Sequence, residues 1–282
     1  VPMSCSGTLV VIRSAVPSPQ TCSGNGSIQV TFSGGTAPYS ISWTGGGPVN
    51  MITSPYTING LVAGSYTVTV TDDNGSTATA SATIQYLPVT NTSDAPDTYY
   101  ATIQAAINAA DPGETITVCA GTYAENIIVD ESVTLLGPNS AVNACSGTRV
   151  AEAIVVPATA AISSGEVFHV AASNVTISGF TIDGDNPALT SGYTSTNGAD
   201  IDAAEGVTVY ETGINNLTVS NNIIQNLSYF GVTLYDYPAG VPSTGHTIAD
   251  NKIRNMGTYD AGSGIDYWGG GVLLYNNQYA AV

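Results

Sequence analysis

Val133-Thr-Leu-Leu-Gly137, Val175-Thr-Ile-Ser-Gly179, Leu217-Thr-Val-Ser-Asn221 and His246-Thr-Ile-Ala-Asp250 are four versions of one five-residue phrase, spaced by 42, 42 and 29 residues. Ile182, Ile224 and Ile253 keep step with them, as do Gly184, Asn226 and Asn255. A second series runs Val207-Thr-Val-Tyr210, Val232-Thr-Leu-Tyr235 and Val272-Leu-Leu-Tyr275. Within each phrase apolar and polar residues alternate, the period of a strand with one buried face. Fixed short strands joined by segments of changing length are what a stack of parallel coils requires, because each strand must lie on its equivalent while the loops vary. In that stack Asn222 sits above Asn251 and Asn226 above Asn255, about 4.8 Å apart. Their side-chain amides can bond along the ladder, a structural role.

Working outward, residues 100–282 read as this β-helix, and Gln278-Tyr-Ala-Ala-Val282 stops where the repeat calls for another strand, so the helix reads as incomplete at its C-terminus. Before it, Ile103, Ala106, Ile107 and Ala110 follow helical spacing, with Thr102 as N-cap and Pro112-Gly113 as the stop. This is one short amphipathic α-helix placed to cap the first coil. Residues 88–99, with Pro and Asp and no period, read as a linker. From 19 to 87 the period is two throughout, in Ser27–Phe32, Tyr39–Trp43, Ser65–Thr71 and Thr77–Ile84, and Asp73-Asn74-Gly75 supplies a tight hairpin. That is a small β-sandwich. Residues 1–18, with Leu9–Ile12 and then Pro17-Ser18-Pro19, read as the end of a preceding module or a linker.

Composition narrows the function. Four Lys+Arg against 21 Asp+Glu leave a net charge of −17, which excludes a nucleic-acid binder and repels anionic membranes and polyanionic glycans unless a cation intervenes. With 31 Gly and 16 Tyr, the chain has an all-β composition. No stretch is apolar enough for a transmembrane segment. The four cysteines make two local pairs, Cys5 with Cys22 and Cys119 with Cys145, which reads as two disulfides in an oxidising compartment.

Two stretches resemble known families. SGGTAPYSISW at 33–43 and GLVAGSYTVTVTDDNGS at 60–76 are similar to the SprB-type repeat of bacterial gliding adhesins, itself related to polycystic-kidney-disease and immunoglobulin-like modules. The likeness spans about 22–85 and implies a surface spacer or adhesive module. Members commonly carry a Cys where this chain has Ser76, so Cys5 becomes the implied partner of Cys22. YATIQAAINAADPGETITVCAGTYAENIIVDESVTLLGPN at 100–139, with the later SNN and ADN turns, resembles right-handed β-helix proteins of the pectin-lyase-like superfamily. That resemblance implies a fold hosting lyases, hydrolases, tailspikes and inert shafts alike. The expected architecture is all-β, an Ig-like sandwich followed by a right-handed parallel β-helix with an N-terminal capping α-helix.

Candidate chemistry is sparse. A lyase of this fold needs a Lys or Arg base, often with calcium. Lys252 and Arg254 alternate with Ile253 and point outward, while Arg149 follows the Cys145 loop without clustered acids beside it. The NTD, paired-Asp, GHG and RIK segments of the polygalacturonase pattern do not occur. His246 aligns with Val175 and Leu217 as a structural or exposed residue, and His169 alternates with Phe168 and Val170, pointing outward with no visible metal partner. Asp183, Asp185, Asp200 and Asp202 lie in loops between repeat strands and are the calcium candidates; calcium is the one cofactor the sequence suggests. Tyr210, Tyr235 and Tyr275 occupy one place in three coils and form an outward column, a carbohydrate platform unless the 236–245 loop covers it.

These features lead to a non-enzymatic extracellular segment of a large bacterial cell-surface adhesin or fibre, a structural shaft that binds carbohydrate. Its partners would be further modules of the same chain, neighbouring subunits or polysaccharide. The alternatives are a secreted lyase or hydrolase with catalytic coils beyond residue 282, and a self-assembling filament subunit.

Overall fold

The computed structural model describes residues 8–195, 197–235, 242–257 and 269–275. The chain forms two compact units, Val1–Pro88 and Val89–Val282.

The first unit is an antiparallel sandwich. One sheet runs in the order β1 (Val11–Ser18), β2 (Gly26–Ser33) and β5 (Tyr56–Leu61). The other has the order β4 (Gly46–Ile52), β3 (Tyr39–Trp43), β6 (Gly64–Thr71) and β7 (Thr77–Ile84). Alternation aims Ile28, Val30, Ile41, Val68, Val70 and Ile84 into one core, each at most 1% exposed. The β6–β7 hairpin closes around Asp72, whose carboxylate accepts from the Ser76 and Thr36 amides, while Gly75 takes the positive φ. One expectation fails here. Val11–Ser18 is not the tail of another module but β1, paired along its length with β2, with Val10 3% exposed in the core. The Pro17-Ser-Pro19 segment misled because proline is tolerated on an edge strand.

Among the described residues the second unit is a parallel β-helix of five coils and three sheets. The coils are β10 (Thr115–Val118), β11 (Gly121–Ala124) and β12 (Ile127–Val129); β13 (Thr134–Leu136), β14 (Ala153–Val156) and β15 (Ala161–Val170); β16 (Thr176–Ser178), β17 (Thr181–Asp183) and β18 (Ala203–Val209); β19 (Thr218–Ser220), β20 (Ile223–Leu227) and β21 (Phe230–Tyr235); and β22 (Thr247–Ala249), β23 (Lys252–Met256) and β24 (Gly270–Tyr275). Every neighbour among them is parallel. The repeat supplies the register: Thr134, Thr176, Thr218 and Thr247 are successive partners, as are Ile182, Ile224 and Ile253, and Val207, Val232 and Val272. Inward residues pile into one continuous core in which Leu135, Ile177, Val219, Phe168 and Val207 are fully buried. Each such side chain contributes roughly 1.5–3 kcal/mol.

The corners explain the Gly, Asn and Asp of the repeat. Gly179, Asn221 and Asp250 end the first-sheet strand of three successive coils with φ of 84°, 58° and 56°. Those are the residue types that enter the left-handed region at least cost. At Gly179 the neighbouring chain is also too close for a side chain, since a Cβ would lie 2.1 Å from the Ser140 amide nitrogen. Asn222 is fully buried: its Oδ1 accepts from Phe180 N at 2.9 Å, and its Nδ2 donates to Ile177 O at 2.9 Å and Asn251 Oδ1 at 3.1 Å. Asn255 Nδ2 donates to Asn226 Oδ1 at 3.3 Å. Both amide ladders form as read from the sequence.

The segment 88–99 is not a free linker, because β8 (Val89–Asn91) and β9 (Thr98–Tyr100) extend the first sheet antiparallel beside β10. The cap is α1 (Ile103–Ile107), with Thr102 Oγ1 accepting from Ala105 N at 3.1 Å. Glu125 accepts from the Ile103 and Gln104 amides at 3.0 and 2.9 Å, completing the first turn. Gln104 then pairs with the edge strand β12: its Nε2 donates to Ile128 O, and Ile128 N donates to its Oε1. The exposed end of the third sheet is thereby covered by one side-chain amide.

The cysteine expectation needs correcting too. Cys22 and Cys119 are each disulfide-bonded, but Cys145 is a free, exposed thiol, so no Cys119–Cys145 bridge exists. The loop after β13 carries Cys145 along the stack to the fifth coil, where its Sγ donates to Asn251 O at 3.4 Å and Ala144 N bonds Asp250 O. Closeness in sequence did not mean closeness in space. Cys5 lies outside the described residues.

Candidate functional site

The outer face of the third sheet collects the chemistry of the molecule. Sheet register puts Val209 beside Leu234 and Tyr235 beside Tyr275, so Tyr210 falls in line with the other two tyrosines. The Tyr235 and Tyr275 rings stack at 4.5 Å with an interplanar angle of 18°, and Tyr210 meets Tyr235 edge-on at 6.3 Å. His169 extends the column by one coil, its ring 6.2 Å from that of Tyr210. Tyr210 and Tyr275 are 38% and 44% exposed. Because Tyr235 and Tyr275 use facing surfaces on each other, they present edges and hydroxyls to a ligand rather than that pair of faces. Residues 236–241 of the loop weighed as a cover lie outside the described residues.

Three glutamates, invisible as a group in the sequence, surround the first two rings. Glu166 and Glu205 are register partners on β15 and β18. Glu205 is 6% exposed and accepts from Thr233 Oγ1 at 2.6 Å and from the Tyr210 hydroxyl. Burial pushes its carboxyl above the usual range against those two hydrogen bonds, and Glu166 adds to the rise. Burial and the bond to Glu205 likewise hold the Tyr210 hydroxyl protonated to higher pH than a free tyrosine. His169 lies between carboxylates, with Nε2 2.9 Å from Glu211 Oε1 and Nδ1 3.4 Å from Glu166 Oε1. Beside it opens a groove of about 220 Å³ lined by Asn126, Ile127, Ile128, Gly165, Glu166 and His169. Only the coil register, with the β15 irregularity between Ala161 and Glu166, brings these residues together.

The other sequence candidates are structural. The four aspartates do approach one another, and Asp185 is held above the usual carboxyl range by burial and by Asp183, Asp202 and Asp200. Several of their oxygens are used locally, while Asp202 Oδ1 is buried without a hydrogen-bond partner. Asp183 accepts from Gln225 and Asn226 at 2.6 and 2.7 Å, Asp200 accepts twice from Ser191, and buried Asp202 accepts from Asn186 N at 3.0 Å. Among the described residues no group of three His, Cys, Asp or Glu is placed to hold a metal. Asp183, Asp185, Asp200 and Asp202, the calcium candidates, form no such group.

Arg149 does have an acid beside it: Glu152 takes a bidentate pair at 2.6 and 2.9 Å. The same guanidinium donates to Asn221 O at 2.7 Å and to Phe180 O at 3.4 Å, which makes it a clip across coils. Lys252 and Arg254 are exposed, and Arg254 donates to Gln225 Oε1 at 2.7 Å. His246 is 1% exposed and faces inward, its Nδ1 accepting from Leu217 N at 3.3 Å.

The fold and this face define a parallel β-helix protein preceded by an antiparallel sandwich, with a polar and aromatic strip along one sheet. The chain belongs to the family described as "Protein of unknown function (DUF1565)", whose model matches residues 89–272. A SprB repeat matches residues 14–48, so the match begins within β1. SprB repeats are associated with cell-surface proteins. No helix among the described residues is long and apolar enough to cross a membrane. Comparison with curated proteins and with solved structures finds no match.

Proposed function

We propose that this chain is an extracellular segment of a cell-surface adhesin, in which the β-helix is a rigid shaft that binds carbohydrate along its third sheet rather than transforming it. The observation that carries the reading is the juxtaposition of the groove beside His169 with the Tyr210–Tyr235–Tyr275 column, whose first and last rings are exposed. Aromatic edges, hydroxyls and carboxylates on a rigid sheet suit a polyhydroxylated ligand, which needs fixed hydrogen-bond partners and apolar ring contacts together. The SprB repeat supports the surface location, and the likeness to pectin-lyase-like proteins supports a saccharide ligand.

Titration calorimetry of the full chain against a panel of neutral and amino oligosaccharides tests this. Tyr235→Ala should weaken any binding by about tenfold, the loss of one aromatic contact of about 1.4 kcal/mol. Retention unchanged in Tyr235→Ala and Tyr210→Ala would remove the platform. Release of shortened products would replace binding with catalysis.

A further inference from the structure

We infer that the groove beside His169 selects a saccharide carrying a free, protonated amino group. The inference rests on the saccharide-binding reading above and names its ligand class.

Charge is the first argument. Glu166 and Glu205 are stacked partners on adjacent coils, an arrangement that is unfavourable for two carboxylates unless a cation or proton intervenes. No Lys or Arg side chain lies there. The chain has four Lys and Arg residues in all: Arg13 in the sandwich, Arg149 locked to Glu152, and Lys252 and Arg254 on the second sheet. Glu205 meets the conflict with two hydroxyl donors, from Thr233 and Tyr210. Glu166 does not: one oxygen lies 3.4 Å from His169 Nδ1, a long contact, and the carboxylate borders the groove with its side chain 27% exposed. It is an accessible anion with room for a donor.

Shape is the second argument. Part of the lining is apolar: Ile128, the neighbour of His169 on the adjacent strand, is 51% exposed although its backbone is pinned at both ends by Gln104. At about 220 Å³ the space is below the roughly 300–1,000 Å³ of drug-sized pockets. It suits one sugar ring, with a C–H face on Ile128 and an equatorial ammonium toward Glu166. Glu211, which holds His169 at 2.9 Å and is 43% exposed at its side chain, is a second acceptor at the rim. A lysine of a basic peptide would bring the same charge, but it must immobilise a flexible stem and leaves the apolar lining poorly covered. Uronic acids are repelled by the same carboxylates and by the net charge of −17.

The test compares a β-1,4-linked glucosamine hexamer with its fully N-acetylated counterpart on the full chain, by calorimetry at a pH where the amine is charged. The wild type should prefer the amino hexamer by about tenfold or more, the worth of one charge-assisted hydrogen bond. Glu166→Gln should cut that preference to about threefold or less, with the far-ultraviolet circular dichroism unchanged. Equal binding of the two hexamers, or a preference that survives Glu166→Gln, overturns the amino-group assignment while leaving saccharide binding in place. If an oligolysine peptide binds as tightly and with the same sensitivity to Glu166→Gln, the groove is a basic-peptide site and the assignment falls. Failure of the wild type to bind either hexamer or any member of the wider panel overturns the saccharide reading itself.

Discussion

Glu205 is the residue at which stability and the candidate site meet. Its carboxyl is held above its ordinary value of 4.5, first by burial and then by Glu166. For a group whose folded pKa is raised, the stabilising state is the protonated one. The contribution is complete below the ordinary value and disappears as pH rises through the higher folded value. Asp185 and Asp202, also raised by burial, act in the same direction. The second unit should therefore gain stability as pH falls from neutrality toward the ordinary carboxylate range. Glu205→Gln, neutral at every pH, should flatten that slope and raise the urea midpoint at pH 7. Urea titrations of both proteins at pH 5 and 7.5 measure this, and parallel pH slopes would contradict it.

At the scale of elements, the corner asparagines matter more than their polarity suggests. Asn222→Ala would strand the Phe180 amide and the Ile177 carbonyl in a dry interior and remove the rung to Asn251. Two buried backbone groups left without partners should cost about 2–5 kcal/mol. Asn255→Ala, which loses a single 3.3 Å bond at a partly exposed corner, should cost about 1 kcal/mol or less. The ratio of the two urea midpoints shows whether the inner ladder dominates. Elements like these were legible because their cause is periodic. Thr176, Thr218 and Thr247 recur at the same place in each phrase, and stacking must bring them into register. The edge strand β1 and the β8–β9 pair were missed because short edge strands tolerate Pro, Asp and Ser, the residues that also mark linkers.

Over the whole molecule, the candidate site was only half legible. The tyrosine column repeats and could be counted out. Glu166, Glu205 and Glu211 do not repeat, and they meet only because β15 lies on β18 with an irregular register. Cys145 failed for the complementary reason: its loop leaves the repeat, and sequence neighbours there need not be neighbours in space.

The parallel stacking has one more consequence, a mechanical one. The hydrogen bonds between coils run along the axis of the second unit, so tension applied between its first and last coils opens them rung by rung instead of shearing many at once. Each 42-residue coil that lets go, such as that from Thr134 to Thr176, should pay out about 140 Å of chain at roughly 3.4 Å per residue. The 29-residue coil from Thr218 to Thr247 should release about 100 Å. Optical-trap pulling between residues 89 and 257 should show these two step sizes at low force, with a shorter one of about 65 Å from the 19-residue coil between Thr115 and Thr134, and a single all-or-none rupture would refute the picture. A shaft built this way yields by lengthening, one coil at a time, before the load reaches either end.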